Sequence, residues 1–160
     1  MRHLLHRTLA GATAVALFAG ASHAQAKDPV IGTWTLNAAK STYPAGAPAP
    51  KSGTRTYTAA GDKVTMVGEL VGADGKVSKT EFTTAADGKD YAYKGDANYD
   101  MISIKRIDAN TVESTLKKGG KAVSTATRAV AKDGKTMTIT LNGTDAKGKP
   151  VKSVSVWDKK

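Results

Sequence analysis

No cysteine occurs anywhere in this chain, and its three histidines, His3, His6 and His23, all stand near the N-terminus. From residue 27 onward both residue types are missing. That excludes imidazole acid–base chemistry, thiolate nucleophiles, disulfides, and zinc or haem sites built on imidazole or thiolate ligands. No phosphate-cradling glycine loop, Gly-x-Ser-x-Gly elbow or paired-carboxylate motif is present either. Asp96-Ala97-Asn98-Tyr99-Asp100 imitates the first half of a calcium loop, but Met101 stands where glycine is needed and Ile107 where the closing glutamate belongs. Its Asp and Asn are read as turn residues. The sequence thus nominates no catalytic residue, no metal ligand and no cofactor, and an enzyme is not expected.

Long apolar runs are equally scarce. The only one, Leu9 to Gly20, follows the cationic Arg2, His3, His6 and Arg7 and is too short to cross a bilayer comfortably. Ser22-His23-Ala24 and Ala24-Gln25-Ala26 place small residues where a signal peptidase cuts. Residues 1–26 are therefore read as a secretory signal, cleaved after Ala24 or Ala26. With no cysteine to carry a lipid, the expectation is a periplasmic or secreted protein with no transmembrane anchor after cleavage. The remaining segment, 27–160, has the size of a single domain.

Charge is one-sided. Of 24 Lys and Arg, removal of Arg2 and Arg7 leaves 22 against 14 Asp and Glu, a net +8 for residues 27–160. Most lysines sit in or beside turns, where they are solvated and discourage strand-edge aggregation. No aromatic residues are interleaved with them as base stacking would require, so a nucleic-acid partner is not expected.

What the chain does have is a recurring turn phrase. Gly61-Asp62-Lys63, Asp74-Gly75-Lys76, Asp87-Gly88-Lys89, Gly119-Gly120-Lys121, Asp133-Gly134-Lys135 and Lys147-Gly148-Lys149 all supply residues that accept the positive φ of tight turns. Between them lie short stretches rich in Thr, Val, Ile and Tyr. Period-two alternation is clearest over 135–142, with Met137, Ile139 and Leu141 on one face and threonines on the other. Ten strands are predicted, at 30–37, 54–60, 63–71, 76–84, 89–94, 99–107, 111–117, 121–130, 135–142 and 150–157. Helical periodicity is absent, apart from room for a single turn at Ala38–Ser41. Short links imply an all-β, antiparallel up-and-down meander. Its two free edges are best removed by closure into a barrel. The one long link, 38–53, is Pro-rich and is expected as an extended surface loop.

Arginine placement differs from lysine placement. Arg55, Arg106 and Arg128 all fall inside predicted strands. Arg55 shares parity with Tyr57, and Arg106 with Ile102 and Ile104, so both are expected to face inward; the parity of Arg128 leaves its direction open. An inward guanidinium is a planar fork suited to a carboxylate or phosphate. It equally suits a structural pairing, with Glu69, Glu81 or Glu113 or across a tryptophan ring. Tyr57, Phe82, Tyr91 and Tyr93 are the aromatic candidates for either a core or a ligand wall.

The opening Ile31-Gly32-Thr33-Trp34 resembles the Gly-x-Trp signature of the calycins, the superfamily of lipocalins and fatty-acid-binding proteins. Gly32-Thr33-Trp34-Thr35-Leu36-Asn37, Ser103 to Asp108 and Lys132 to Thr138 also resemble the short secreted bacterial lipocalin-like proteins. The resemblance implies a calycin-like barrel with Gly32, Trp34 and Trp157 in structural roles. It further implies an interior site for a small apolar or amphipathic, lipid-like molecule. Fatty-acid-binding proteins hold a carboxylate with an inward Arg on a late strand, which Arg128 matches, and an Arg-x-Tyr pair on the last strand. Here the last strand reads Ser155-Val156-Trp157 and lacks that pair. Nor can the loop at 38–53 supply the helical lid of those proteins. The candidate ligand set is Arg55, Tyr57, Phe82, Tyr91, Tyr93, Arg106 and Arg128. The alternative is an envelope interaction or structural module with a packed interior and a protein partner.

Overall fold

The computed structural model describes residues 28–144 and 148–160. The expected signal segment and Lys147 lie outside them. Ten strands follow one another: β1 (Gly32–Thr42), β2 (Ser52–Ala60), β3 (Lys63–Val71), β4 (Val77–Thr84), β5 (Asp87–Lys94), β6 (Met101–Arg106), β7 (Thr111–Lys118), β8 (Lys121–Val130), β9 (Thr136–Thr144) and β10 (Pro150–Lys159). Each pairs antiparallel with its sequence neighbour, and β10 pairs with β1, so the meander closes into a barrel. Closure sets Trp34 opposite Lys159 and Leu36 opposite Trp157. Among the described residues no helix is long and apolar enough to cross a membrane.

The turn phrase has a physical basis beyond its glycines. In Asp74-Gly75-Lys76 and Asp133-Gly134-Lys135 the aspartate Oδ1 accepts the lysine amide at 3.0 and 2.9 Å, while the glycine takes φ of 82° and 69°. The aspartate thus supplies the hydrogen bond and the glycine the left-handed step of an Asx turn. Asp87-Gly88-Lys89 uses the same bond, at 3.0 Å, but for another purpose. It is not the link between strands that the sequence suggests. It lies inside β5, where the pairing with β6 shifts register between Asp87 and Asp90. The phrase encodes a positive-φ step, and a β-bulge uses that step as readily as a turn does.

A second correction concerns 38–53. β1 does not end at Asn37 but continues to Thr42, and β2 begins at Ser52. The link is therefore residues 43–51, and the helical turn allowed at Ala38–Ser41 is instead a bulge against β10. Side chains hold it: Ser41 Oγ donates to the Asn37 carbonyl at 2.7 Å and accepts the Val156 amide at 3.0 Å. Asn37 Oδ1 accepts the Lys40 amide at 3.1 Å. Polar side chains at these positions replace ladder bonds, which is why a strand-like pattern could not be read there.

The barrel is filled at one end only. Val30, Trp34, Met66, Val112 and Met137 are almost completely buried and pack together where the N-terminal segment crosses the barrel. Trp34 Nε1 donates to the Val30 carbonyl at 2.7 Å, so burial leaves its polar group satisfied. Lys159 covers the indole, its Nζ 4.9 Å from the ring centre, and donates to the Pro29 carbonyl at 3.2 Å. Lysine, not arginine, occupies the cation position over this tryptophan. Its side chain also lies where a Cβ on Gly32 would go, 2.9 Å away, at a residue whose φ is 133°. Gly32 and Trp34 are thus both used to close this end.

Candidate functional site

Beyond that plug the interior is hollow. A cavity of about 550 Å³ opens toward the end formed by the 43–51 link, the β3–β4 turn and the β5–β6 link. Apolar walls come from Leu70, Phe82, Ile102, Leu116, Ile139 and Leu141. All alternate inward along their strands, as period two requires. Serine and threonine hydroxyls, among them Ser78, Thr80, Ser114 and Ser153, interrupt those walls. A rim of Tyr43, Pro50, Asp96, Asn98 and Tyr99 surrounds the opening. Phe82, Tyr93 and Tyr99 form a connected aromatic face, with ring centres 5.7 and 6.1 Å apart. Asp96 is used locally: its Oδ1 accepts the Asn98 amide at 2.7 Å.

Two arginines front the cavity. Arg55 reaches it from β2 and lies over the Trp157 ring, its Cζ 4.8 Å from the centre. Arg128 reaches it from β8 and lies over Tyr57, at 5.1 Å. Both guanidiniums approach the Tyr57 hydroxyl. Burial raises the Tyr57 pKa, but Arg55 and Arg128 more than reverse this and hold it below the ordinary tyrosine value. Burial likewise opposes the Arg55 charge, but the negative charge that Tyr57, Tyr93 and Tyr43 acquire on ionising in alkali, with the Tyr57 hydrogen bond, outweighs it, and that pKa is raised; while the phenols are neutral they supply no counter-charge. Tyr93 shifts the other way, raised chiefly by its own burial.

No carboxylate neutralises this pair. Among the described residues neither Arg55 nor Arg128 forms an ion pair. Glu69, considered above as a partner, is bound to Lys79 at 3.2 Å on the outer face. Glu81 and Glu113 are exposed. Two cations therefore sit in a largely apolar interior without a counter-charge, an arrangement that costs stability unless a ligand or water completes it.

The sequence candidates divide accordingly. Arg55, Tyr57, Phe82, Tyr93 and Arg128 come together on the cavity wall, and Trp157, expected as purely structural, joins them there. Arg106 does not. It is the last residue of β6, partly exposed at the closed end, where it binds the Asp28 carboxylate and donates to the Ala109 carbonyl at 3.4 Å. Its parity with Ile102 and Ile104 is right, but the strand carries it past the barrel's end. Tyr91 is also off the cavity wall: its hydroxyl donates to Asp87 at 3.0 Å and its ring lies 5.3 Å from Lys63 Nζ. Tyr43 and Tyr99 are absent from the sequence candidates: Tyr43 lies on the link after β1, and Tyr99, at the start of the predicted strand 99–107 with parity opposite to Ile102 and Ile104, instead precedes β6 and turns to the cavity.

A closed ten-stranded antiparallel meander, plugged at one end and hollow at the other, has the fold of the calycin barrels, in particular of the fatty-acid- and bile-acid-binding type. No protein-family model matches the sequence, and no curated protein matches it. Solved structures do match in fold. One is the zebrafish ileal bile acid-binding protein complexed with cholic acid, with a TM-score of 0.52 and 12% identity over 82% of this chain and 99% of that one. Another is EF1p2_mFAP2b bound to DFHBI, with a TM-score of 0.50 and 8% identity over 82% of this chain and 94% of that one.

Proposed function

We propose that the protein is a non-enzymatic binding protein of the periplasm or extracellular medium. Its ligand is a small, largely apolar amphipath whose anionic head meets Arg55, Tyr57 and Arg128. One observation carries this reading: two inward guanidiniums share one phenol inside a roomy apolar cavity and form no ion pair with an acidic side chain among the described residues, Asp96 standing at the rim. The last strand lacks the Arg-x-Tyr pair of fatty-acid-binding proteins, but Arg55 and Tyr57 on β2 bring a guanidinium and a phenol to the cavity. Arg128 on β8 completes the set from the opposite side of the barrel. That both structural neighbours hold small organic molecules agrees with the same use of the fold. The export assignment rests on the N-terminal sequence alone. A packed-interior module finds less support, because a cavity of about 550 Å³ is within the range of small-molecule sites.

Titration with the fluorescent amphipathic anion 8-anilinonaphthalene-1-sulfonate tests the reading. Binding at one site should enhance dye emission and quench Trp157, which lines the cavity, while Trp34, sealed in the plug, contributes a constant background. Retained stoichiometric binding in a Trp157→Phe variant with no indole response in the parent protein would place the dye elsewhere and contradict the interior site.

A further inference from the structure

We infer that the head group taken at Arg55, Tyr57 and Arg128 is a dianion, a phosphate monoester on an apolar tail, rather than a singly charged carboxylate. This rests on the amphipath-binding reading and narrows it. Charge is the first reason. The two cavity guanidiniums form no ion pair among the described residues, so a monoanion would leave one positive charge unbalanced in the barrel interior. Donor supply is the second. Each guanidinium is a fork of N–H donors and carries no acceptor. Among the described residues neither bonds a backbone carbonyl, whereas Arg106, outside the cavity, does. Tyr57, Tyr93 and Tyr43 line the same cavity, and a tyrosine hydroxyl can donate as well. A carboxylate has too few oxygens to satisfy such a set; a phosphate monoester offers more terminal oxygens together with the second charge.

The walls complete the description. The apolar side chains of Leu70, Phe82, Ile102, Leu116 and Ile139 line the same cavity and suit a hydrocarbon tail. Free inorganic phosphate would leave that surface empty.

Displacement of 8-anilinonaphthalene-1-sulfonate from the purified protein separates the cases, with each competitor kept below its micellar concentration. The competitors are monododecyl phosphate, its monoanionic methyl diester, dodecanoate and inorganic phosphate. At about pH 8 the monoester should displace the dye at roughly a tenth of the concentration needed for the diester or dodecanoate. That advantage should shrink as the pH falls below the second phosphate pKa of about 6, because the ligand loses its second charge while the arginines keep theirs. Equal potency of dodecanoate or the diester at about pH 8, or a preference indifferent to pH, would overturn the dianion assignment while leaving the binding reading intact. Inorganic phosphate acting as strongly as the monoester would overturn the tail. Failure of every amphiphile, with Trp157 emission unmoved, would overturn the binding reading itself.

Discussion

The two ends of this barrel are built from the same alternating strands yet solve opposite problems. At the closed end Trp34, Met66, Val112 and Met137 are almost completely buried in one core, and two charged side chains are engaged there: Arg106 holds Asp28, and Lys159 covers Trp34. Toward the open end Ser78, Thr80, Ser114 and Ser153 interrupt the apolar inward positions, and two arginines form no ion pair among the described residues. Packing stabilises the first region, whereas the second leaves a cavity of about 550 Å³ unfilled. The comparison teaches that stability and binding are carried by different segments of the same strands, so substitutions should separate them.

The largest expected effect lies in the plug. Trp34→Ala removes the most buried large side chain and should destabilise the fold by about 3–5 kcal/mol, read from urea unfolding. At the other end, Arg55→Gln or Arg128→Gln should weaken binding of an anionic amphipath by roughly ten- to hundredfold, the loss of a charge-assisted bond. The same substitutions should leave stability unchanged or raise it, since each removes an unpaired interior charge. Loss of stability as large as that of Trp34→Ala would erase the distinction between the ends.

A smaller effect tests how the rim is held. Gly95, with φ of 82°, lets the chain leaving β5 pass so close to β4 that a Cβ would lie 1.8 Å from the Lys79 carbonyl oxygen. Gly95→Ala should cost about 2 kcal/mol. Gly134→Ala, where φ is 69° but nothing lies within 4 Å, should cost about 1 kcal/mol. The smallest effect is spectroscopic. Because the two guanidiniums favour the phenolate of Tyr57, that residue should ionise at lower pH than Tyr43, Tyr91 and Tyr93, whose pKa values are all raised. An alkaline absorbance titration should show this early step. It should vanish in Tyr57→Phe and move to higher pH in Arg128→Gln or on binding an anion.

Much of the fold was legible in the sequence because turn chemistry is local. Asp-Gly-Lys states where a positive φ falls, and threonine-rich alternation states what lies between. Asp87-Gly88-Lys89 shows the limit, since the same local step serves a bulge when the neighbouring strand continues past it. The site was legible only in part. Parity gave the facing of Arg55 and Tyr57 correctly, and for Arg106 it gave the face but not the height along the barrel axis. Height depends on shear and on where a strand ends, which are properties of the closed sheet. For the same reason the convergence of Arg128 with Arg55 across the barrel could not be read from either strand alone. Trp157, placed as structure by the resemblance, lines the cavity with Arg55 over its ring, a contact across strands that the sequence of β10 alone does not show.

Native mass spectrometry of the protein purified from its own host tests the central claim most directly. The account predicts a discrete, singly stoichiometric small-molecule adduct that is acidic when released, and that is lost from an Arg55→Gln/Arg128→Gln double variant which still folds. A neutral adduct retained by that variant would contradict it.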